Sequence, residues 1–321
     1  MNRAWGIDIS GWNVPAPDYK TLVKQGASFA IIKASMGGGI STTAVQQAKE
    51  CREAGVPFIG IYHWADPIHR KINDQMQHID KMITAINPDF ISIDNEQWWG
   101  SWNAYYQFQR GDISANAVPK LSPNWISDFG EELTTAVYNK YKLTTLNYTA
   151  DWFIDSYSPS MRQWLRKFPT WMAWYPIRDG KFDTWETFYN YINNTNPVLS
   201  VKNDWYLWQF ADRRRLPGFP ARYLDLNVFN GTPDKFKQFI GHEIPNQPKP
   251  PVENPYYEEY ICYALLGMIV RDSPSGKDVK YRISYLQRFN VYEKIVTPAH
   301  VWGRIHPTNQ HWIALSWSKR V

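Results

Sequence analysis

Phe90-Ile91-Ser92-Ile93-Asp94-Asn95-Glu96 is a short strand-type run that ends in two carboxylates spaced i and i+2. In an extended chain such residues point to the same face, so Asp94 and Glu96 are aimed together. Seven further runs of the same texture surround it: Trp5–Ile9, Phe29–Lys33, Phe58–His63, Thr144–Tyr148, Trp171–Tyr175, Tyr206–Phe210 and Tyr223–Leu226. Short apolar runs flanked by polar or turn residues suit strands buried on both faces, as in a parallel sheet. Helical patterns lie between several of them. Thr43–Ala54 stops at Gly55, Ile68–Ile86 stops before Asn87-Pro88, and Trp125–Tyr141 and Ser160–Phe168 are further candidates. Eight strands with intervening helices in residues 1–241 predict an α/β fold, a TIM-like (β/α) barrel. The alternative, an open doubly wound sheet, lacks a glycine-rich nucleotide fingerprint after its first strand. Gly37-Gly38-Gly39 does not have that spacing and reads as a loop near the barrel mouth.

Pro245 to Pro255 holds five prolines in eleven residues, a composition that favours an extended spacer. The expected organisation is therefore a barrel over 1–241, a linker over 242–255 and a second domain over 256–321. That last region has short β-type runs (Tyr260–Tyr263, Met268–Val270, Tyr281–Ile283, Asn290–Lys294, Val301–Ile305, Trp312–Ser316), which predict a small all-β barrel. The charge is uneven. Residues 1–241 carry 25 − 23 = +2, residues 242–255 carry 1 − 2 = −1, and residues 256–321 carry 9 − 5 = +4.

Three runs carry carboxylates with the same spacing: Asp8-Ile9-Ser10, Asp94-Asn95-Glu96 and Asp225-Leu226-Asn227. Each is expected at the C-terminal end of its strand, the end at which β/α barrels do chemistry. Strands 1 and 8 become neighbours when a barrel closes, so Asp8 and Asp225 should converge, with Asp94 facing them. A lone aspartate at a strand end also serves as a helix N-cap; three such motifs on one mouth point to a site. Crowded carboxylates raise one another's pKa, and a carboxylic acid protonated near neutrality beside an ionised one is what glycosidic bond cleavage needs. The aromatic content agrees. Seventeen Trp, 20 Tyr and 15 Phe make 16% of the chain, which suits stacking on sugar rings. Bases also stack, but no basic stripe accompanies the rings, so no nucleic-acid partner is expected.

Several stretches, taken in order, resemble glycoside hydrolase family 25, the Chalaropsis-type lysozymes. They are Gly6-Ile7-Asp8-Ile9-Ser10-Gly11-Trp12, Ile59-Gly60-Ile61-Tyr62-His63, Ile93-Asp94-Asn95-Glu96, Trp171-Met172-Ala173-Trp174-Tyr175, Leu207-Trp208-Gln209-Phe210 and Leu224-Asp225-Leu226-Asn227. The resemblance implies a barrel that cleaves the β-1,4 bond from N-acetylmuramic acid to N-acetylglucosamine in bacterial peptidoglycan. It implies Glu96 as general acid/base and Asp94 as the partner that orients the substrate acetamido group or assists attack. Asp8 and Asp225 complete the acidic site. The family pattern makes Tyr62 a pocket residue, and Tyr148, Tyr175 and Gln209, at or near strand ends, are candidates to line the groove. Two departures stand out. Asn95 replaces a usually apolar residue and should point away from the site. Residues 97–121, with Trp98, Trp99, Trp102, Tyr105 and Tyr106, look like an insertion that either extends the groove or covers the barrel.

The C-terminal region resembles bacterial SH3-type wall-binding modules through Ile269-Val270-Arg271-Asp272-Ser273-Pro274-Ser275-Gly276 and, less closely, Val301-Trp302-Gly303-Arg304-Ile305. A basic module with Trp302, Trp312 and Trp317 suits wall glycan, wall peptide or an anionic wall polymer. Arg213-Arg214-Arg215, between strands 7 and 8, reads as a solvated loop or a contact for anionic wall groups. Seven histidines show no metal-ligand spacing, so neither metal nor cofactor is expected. Cys51 and Cys262, 262 − 51 = 211 positions apart, read as buried thiols. No apolar run has the length of a membrane span, and Met1 to Asp8 has no secretory h-region. Together these readings anticipate a phage endolysin made in the host cytoplasm and acting at the cell wall. A chitinase-like N-acetylhexosaminidase and a non-catalytic glycan-binding protein are the alternatives.

Overall fold

The structure is a computed structural model. It describes residues 2–13, 16–68, 71–176, 179–199, 205–219, 223–241, 258–264, 266–284, 287–297, 300–305 and 310–320. The expected linker, residues 242–255, and the side chain of Trp317 lie outside the described residues. The chain divides into two compact units, residues 1–248 and 249–321.

The first unit is a closed eight-stranded α/β barrel. Its strands are β1 (Trp5–Ile9), β2 (Phe29–Met36), β3 (Phe58–Trp64), β4 (Phe90–Asp94), β5 (Thr144–Ala150), β6 (Thr170–Ala173), β7 (Leu207–Arg215) and β8 (Leu224–Phe229). They pair in order round the ring, and β1 pairs with both β2 and β8 to close it. Helices α1 (Tyr19–Lys24), α2 (Ala44–Glu53), α3 (Ile72–Ile86), α4 (Trp102–Gln109), α5 (Pro123–Tyr141), α6 (Asp151–Tyr157), α7 (Trp185–Asn194) and α8 (Pro233–Gly241) complete the unit.

The period of two along each strand divides the core. Ile7, Ile9, Ala30, Ile32, Ile59, Ile61, Ile91 and Ile93 face outward and pack with Ala48, Cys51, Ile79, Met82, Leu133 and Val137 of α2, α3 and α5. Phe29, Phe90, Leu146, Leu207 and Phe229 cluster with Phe236 and Phe239 of α8, which closes the end of the barrel opposite the carboxylates. The Phe236 ring lies 4.7 Å from that of Phe29 and 5.6 Å from that of Phe90. Each fully buried phenylalanine contributes roughly 1.5–3 kcal/mol. Two glycines make room for this layer. A Cβ on Gly6 would lie 2.5 Å from the Phe29 ring, and one on Gly60 2.4 Å from the Phe90 ring.

Four expectations are corrected. Strand β8 is antiparallel to both neighbours, so Asp225 lies at its N-terminal end. A hairpin from β7 reverses the chain, and this still delivers Asp225 to the mouth. Residues 160–168 form two 3-10 turns, Pro159–Gln163 and Leu165–Lys167, rather than an α-helix. Arg213–Arg215 continue β7 and pair with the short strand Asp179–Lys181. The Arg214 guanidinium packs 4.2 Å from the centre of the Phe182 ring, so its aliphatic and planar surfaces are used in packing rather than in an open loop. Finally, α3 starts at Ile72 rather than Ile68.

The second unit is all β. Strands β9 (Glu258–Cys262), β10 (Met268–Arg271), β11 (Asp278–Ile283), β12 (Arg288–Val291), β13 (Glu293–Val296), β14 (Val301–Arg304), β15 (Trp312–Ala314) and β16 (Ser318–Arg320) form two antiparallel sheets, ordered β12-β9-β16 and β11-β10-β15-β14-β13. The expected run Asn290–Lys294 is two strands broken at Tyr292, and β16 was not anticipated. Tyr260, Cys262, Met268, Val270, Ile283, Phe289, Val291, Ile313 and Leu315 form its core. Among the described residues, no helix is long and apolar enough to cross a membrane.

Candidate active site

Parallel strands bring their C-terminal ends to one mouth, and the reversed β8 brings its N-terminal end there. A pocket of about 220 Å³ opens at this point. Its lining includes all eight residues expected from the sequence: Asp8, Tyr62, Asp94, Glu96, Tyr148, Tyr175, Gln209 and Asp225. Trp171 and Asp212 complete it.

The β1–β8 ladder sets Asp8 opposite Asp225. Asp8 Oδ2 accepts hydrogen bonds from Gln209 Nε2 and Asn227 Nδ2, each at 2.7 Å. The network continues on both sides. Trp171 Nε1 donates to Asn227 Oδ1 at 2.8 Å. Tyr148 donates to Gln209 Oε1 at 2.7 Å, and the Tyr175 hydroxyl donates to the same oxygen. Charged Asp8 is thus fixed in orientation by two amides that are themselves fixed by three aromatic donors.

Across the pocket, β4 supplies Asp94 at its last position and Glu96 two residues on. Asp94 is buried, and its Oδ1 has no hydrogen-bond partner. Asn95, between them, points the other way, as expected. Its Nδ2 donates to Asn147 Oδ1 at 3.0 Å, and Thr134 Oγ1 donates to the same oxygen at 2.7 Å. Gly130 of α5 leaves space for this amide, since a Cβ there would lie 2.6 Å from Asn95 Oδ1. Asn95 is therefore accommodated by polar groups behind the strand.

Burial raises the pKa of all four carboxyl groups. Glu96 is pushed up to about 7, by desolvation first and by the charge of Asp8, against the opposing pull of Lys33. Asp8 is pushed up to about 6 by desolvation, tempered by its bonds to Asn227 and Gln209. Desolvation and neighbouring negative charge hold Asp94 and Asp225 well above the usual carboxylate range. The same burial and charge keep the hydroxyls of Tyr62, Tyr148 and Tyr175 protonated. His63 is buried between Ser35 and Gln75, and desolvation pushes it down to about 4, so it stays neutral.

Lys33 was missed by the sequence reading. Its ammonium sits 4.4 Å from the Trp64 ring centre and 5.8 Å from that of Tyr62. Its signal was one of parity, because Lys33 shares a face with Phe29 and Ile31, which point inward. Asp212 was hidden in a segment read as loop.

Residues 97–121 divide into two parts. Trp98 and Trp99 are buried, Tyr105 stacks on Trp99 at 3.6 Å, and Trp98 stacks on Tyr157 at 5.0 Å. Buried Asp66 ties the segment down, accepting from Gln97 Nε2 at 3.0 Å and Trp102 Nε1 at 2.9 Å. Helix α4 leaves Tyr106 outward, stacked on Trp102. Among the described residues, no group of three or more His, Cys, Asp and Glu side chains is placed to hold a metal.

A closed barrel whose mouth gathers four carboxyl groups of raised pKa has the groups that glycosidic bond cleavage needs. The chain belongs to glycosyl hydrolases family 25, whose family model matches residues 7–219. Among solved structures it is similar to a bacterial lysozyme from Streptomyces coelicolor (18% identity, 75% of this chain and 98% of that one, TM-score 0.55). It is also similar to a family 25 glycosyl hydrolase from Bacillus anthracis (18%, 74% and 93%, TM-score 0.52). A third similar structure is the CTP1L endolysin (21%, 74% and 69%, TM-score 0.50). No curated protein matches the chain significantly. The chain is an enzyme of the lysozyme class.

Proposed function

We propose that this lysozyme cleaves the β-1,4 bond from N-acetylmuramic acid to N-acetylglucosamine with Glu96 as general acid/base. The observation that carries the assignment is Glu96 with its pKa pushed up to about 7, beside Asp94 with an unpartnered buried Oδ1. Protonated Glu96 gives its proton to the glycosidic oxygen as the bond to the anomeric carbon breaks. Positive charge then develops at that carbon. Asp94 orients the acetamido group or assists the attack on the anomeric carbon, and ionised Asp8, with Asp225 beside it, lowers the energy of the cationic centre. Glu96, now a carboxylate, takes a proton from the incoming water. Tyr62, Tyr148, Tyr175 and Gln209 hold the sugar in the pocket, and Gln209 also fixes Asp8.

The C-terminal unit is proposed as an SH3-like module that holds the wall. Its formal charge of +4 over residues 256–321 suits an anionic polymer, and wall glycan or peptide are the other candidate ligands. The modular layout supports an endolysin that reaches peptidoglycan from the host cytoplasm. Replacing Glu96 by Gln tests the catalytic assignment: the variant is expected to fold and bind peptidoglycan but to release new reducing ends about 10²–10⁴-fold more slowly.

A further inference from the structure

The barrel unit has four exposed aromatic side chains among its described residues: Trp12 (95% exposed), Tyr106 (52%), Trp152 (57%) and Tyr223 (52%). Scattered exposed rings are ordinary. The distribution of these four is not. Trp12 follows β1, Tyr106 lies in α4, after β4, and Trp152 follows β5. Tyr223 immediately precedes β8, the strand whose start is at the mouth. All four are therefore on the catalytic face, and none is at the end closed by α8.

Their positions round the ring are paired. The strand order places β1 and β8 side by side, with β4 and β5 diametrically opposite. Trp12 and Tyr223 thus flank the mouth beside Asp8 and Asp225, and Tyr106 and Trp152 flank it beside Asp94 and Glu96. One line joins the two pairs, and it passes over the carboxylates.

Three of the four rings are backed by neighbouring side chains, and the backbone carrying the fourth, Trp12, is held in place. Tyr106 stacks on Trp102 at 5.6 Å, which leaves its other side outward. Trp152 meets Phe153 and Tyr157 edge-on at 6.1 and 6.2 Å. The Arg215 guanidinium lies 4.8 Å from the Tyr223 ring centre. Trp12 is held on a turn in which Asn13 Oδ1 accepts from the Ser10 amide at 2.8 Å and Gln47 Nε2 donates to the Ser10 carbonyl at 2.8 Å. A pyranose presents weakly positive C–H groups, and these meet the negative face of an aromatic ring.

We infer that the glycan strand crosses the mouth from the β1/β8 side to the β4/β5 side, stacking at one end on Trp12 and Tyr223 and at the other on Tyr106 and Trp152. This rests on the lysozyme reading of the central pocket and extends it: the preferred substrate is a run of several sugars, longer than the pair at the scissile bond.

The test uses the full chain carrying Glu96→Gln and peptide-free peptidoglycan glycan strands, fractionated into tetrasaccharide and octasaccharide. Calorimetry gives Kd for each length, before and after adding Trp12→Ala with Tyr106→Ala. The octasaccharide should bind about tenfold more tightly than the tetrasaccharide in the parent, and the advantage should shrink to about twofold or less in the variant. Any glycan binding by the C-terminal unit is common to both proteins and cancels in the comparison. No length advantage in the parent, an advantage that survives the substitutions, or equal weakening at both lengths would each overturn the inference. Release of reducing ends from sacculi by the unaltered chain is measured alongside. Its failure would remove the lysozyme reading, whereas the length comparison judges the platforms by binding alone.

Discussion

Asp8 and Asp225 face each other across a ladder whose two strands run in opposite directions. In an all-parallel barrel, Asp225 would need to end its strand to reach the mouth. Here it begins the strand, and the hairpin from β7 supplies the reversal. The pairing places the buried Asp8 carboxyl beside that of Asp225, and the negative charge of Asp8 adds to the cost of ionising Asp225. The fold thus enforces desolvation first and repulsion second on the carboxyl groups of the lysozyme site, and the consequences can be measured.

The first concerns pH and rate. Glu96 has to carry a proton to act as the acid, and its pKa is pushed up to about 7. Activity should therefore fall as pH rises through about 7. The profile of kcat/KM on solubilised glycan checks this. A plateau extending unchanged to pH 9 would contradict it.

The second concerns pH and stability. The ordinary value for Glu96 is 4.5, and the folded value is about 7. The folded protein therefore holds this proton more tightly than the unfolded chain does. The resulting stabilisation is complete below about 4.5 and is lost as pH rises through about 7. Glutamine cannot ionise, so Glu96→Gln should be more stable than the unaltered chain at pH 8, on the order of 1–3 kcal/mol, and matched with it at pH 4. Urea unfolding at both pH values provides the comparison.

Lys33 is the cation that opposes this trend, pulling the pKa values of Asp94 and Glu96 down. Replacing it with methionine keeps the packing against Trp64 and removes the charge. The alkaline limb of the rate profile should move upward by about 0.5–1 unit, and Lys33→Arg should restore it. An unmoved limb would mean that Lys33 acts only through its contacts with Tyr62 and Trp64.

At the closed end of the barrel, Gly60→Ala would drive a methyl group into the Phe90 ring. Overpacking of this kind costs about 1–3 kcal/mol, and Tm should fall by about 2–4 °C for each kcal/mol. Because the site lies at the other end, kcat at a temperature where the variant is folded should be unchanged.

The sequence showed the strands clearly, because β1 and β4 are buried on both faces and read as nearly continuous apolar runs. The carboxylates were legible for a related reason: one acid at the end of an apolar run can be a helix cap, but three such runs with the same spacing point to one mouth. The direction of β8 was not legible, since Leu224-Asp225-Leu226-Asn227 alternates identically whichever way the strand runs. Nor was the role of Arg213–Arg215. Three charged residues resemble a loop, and it is ladder pairing with Asp179–Lys181, together with the ring contacts of Arg214 with Phe182 and Tyr191, that holds them in a strand. Lys33 escaped notice because the period of two assigns its face without saying that the face is an active site.

The central claim is that Glu96 drives muramidase chemistry. The direct measurement is digestion of purified peptidoglycan, borohydride reduction of the new ends and mass spectrometry of the products, with Glu96→Gln in parallel. The account predicts muramitol at the new ends, with a yield about 10²–10⁴-fold lower in the variant. Glucosaminitol at the ends, or undiminished muramitol from Glu96→Gln, would contradict it.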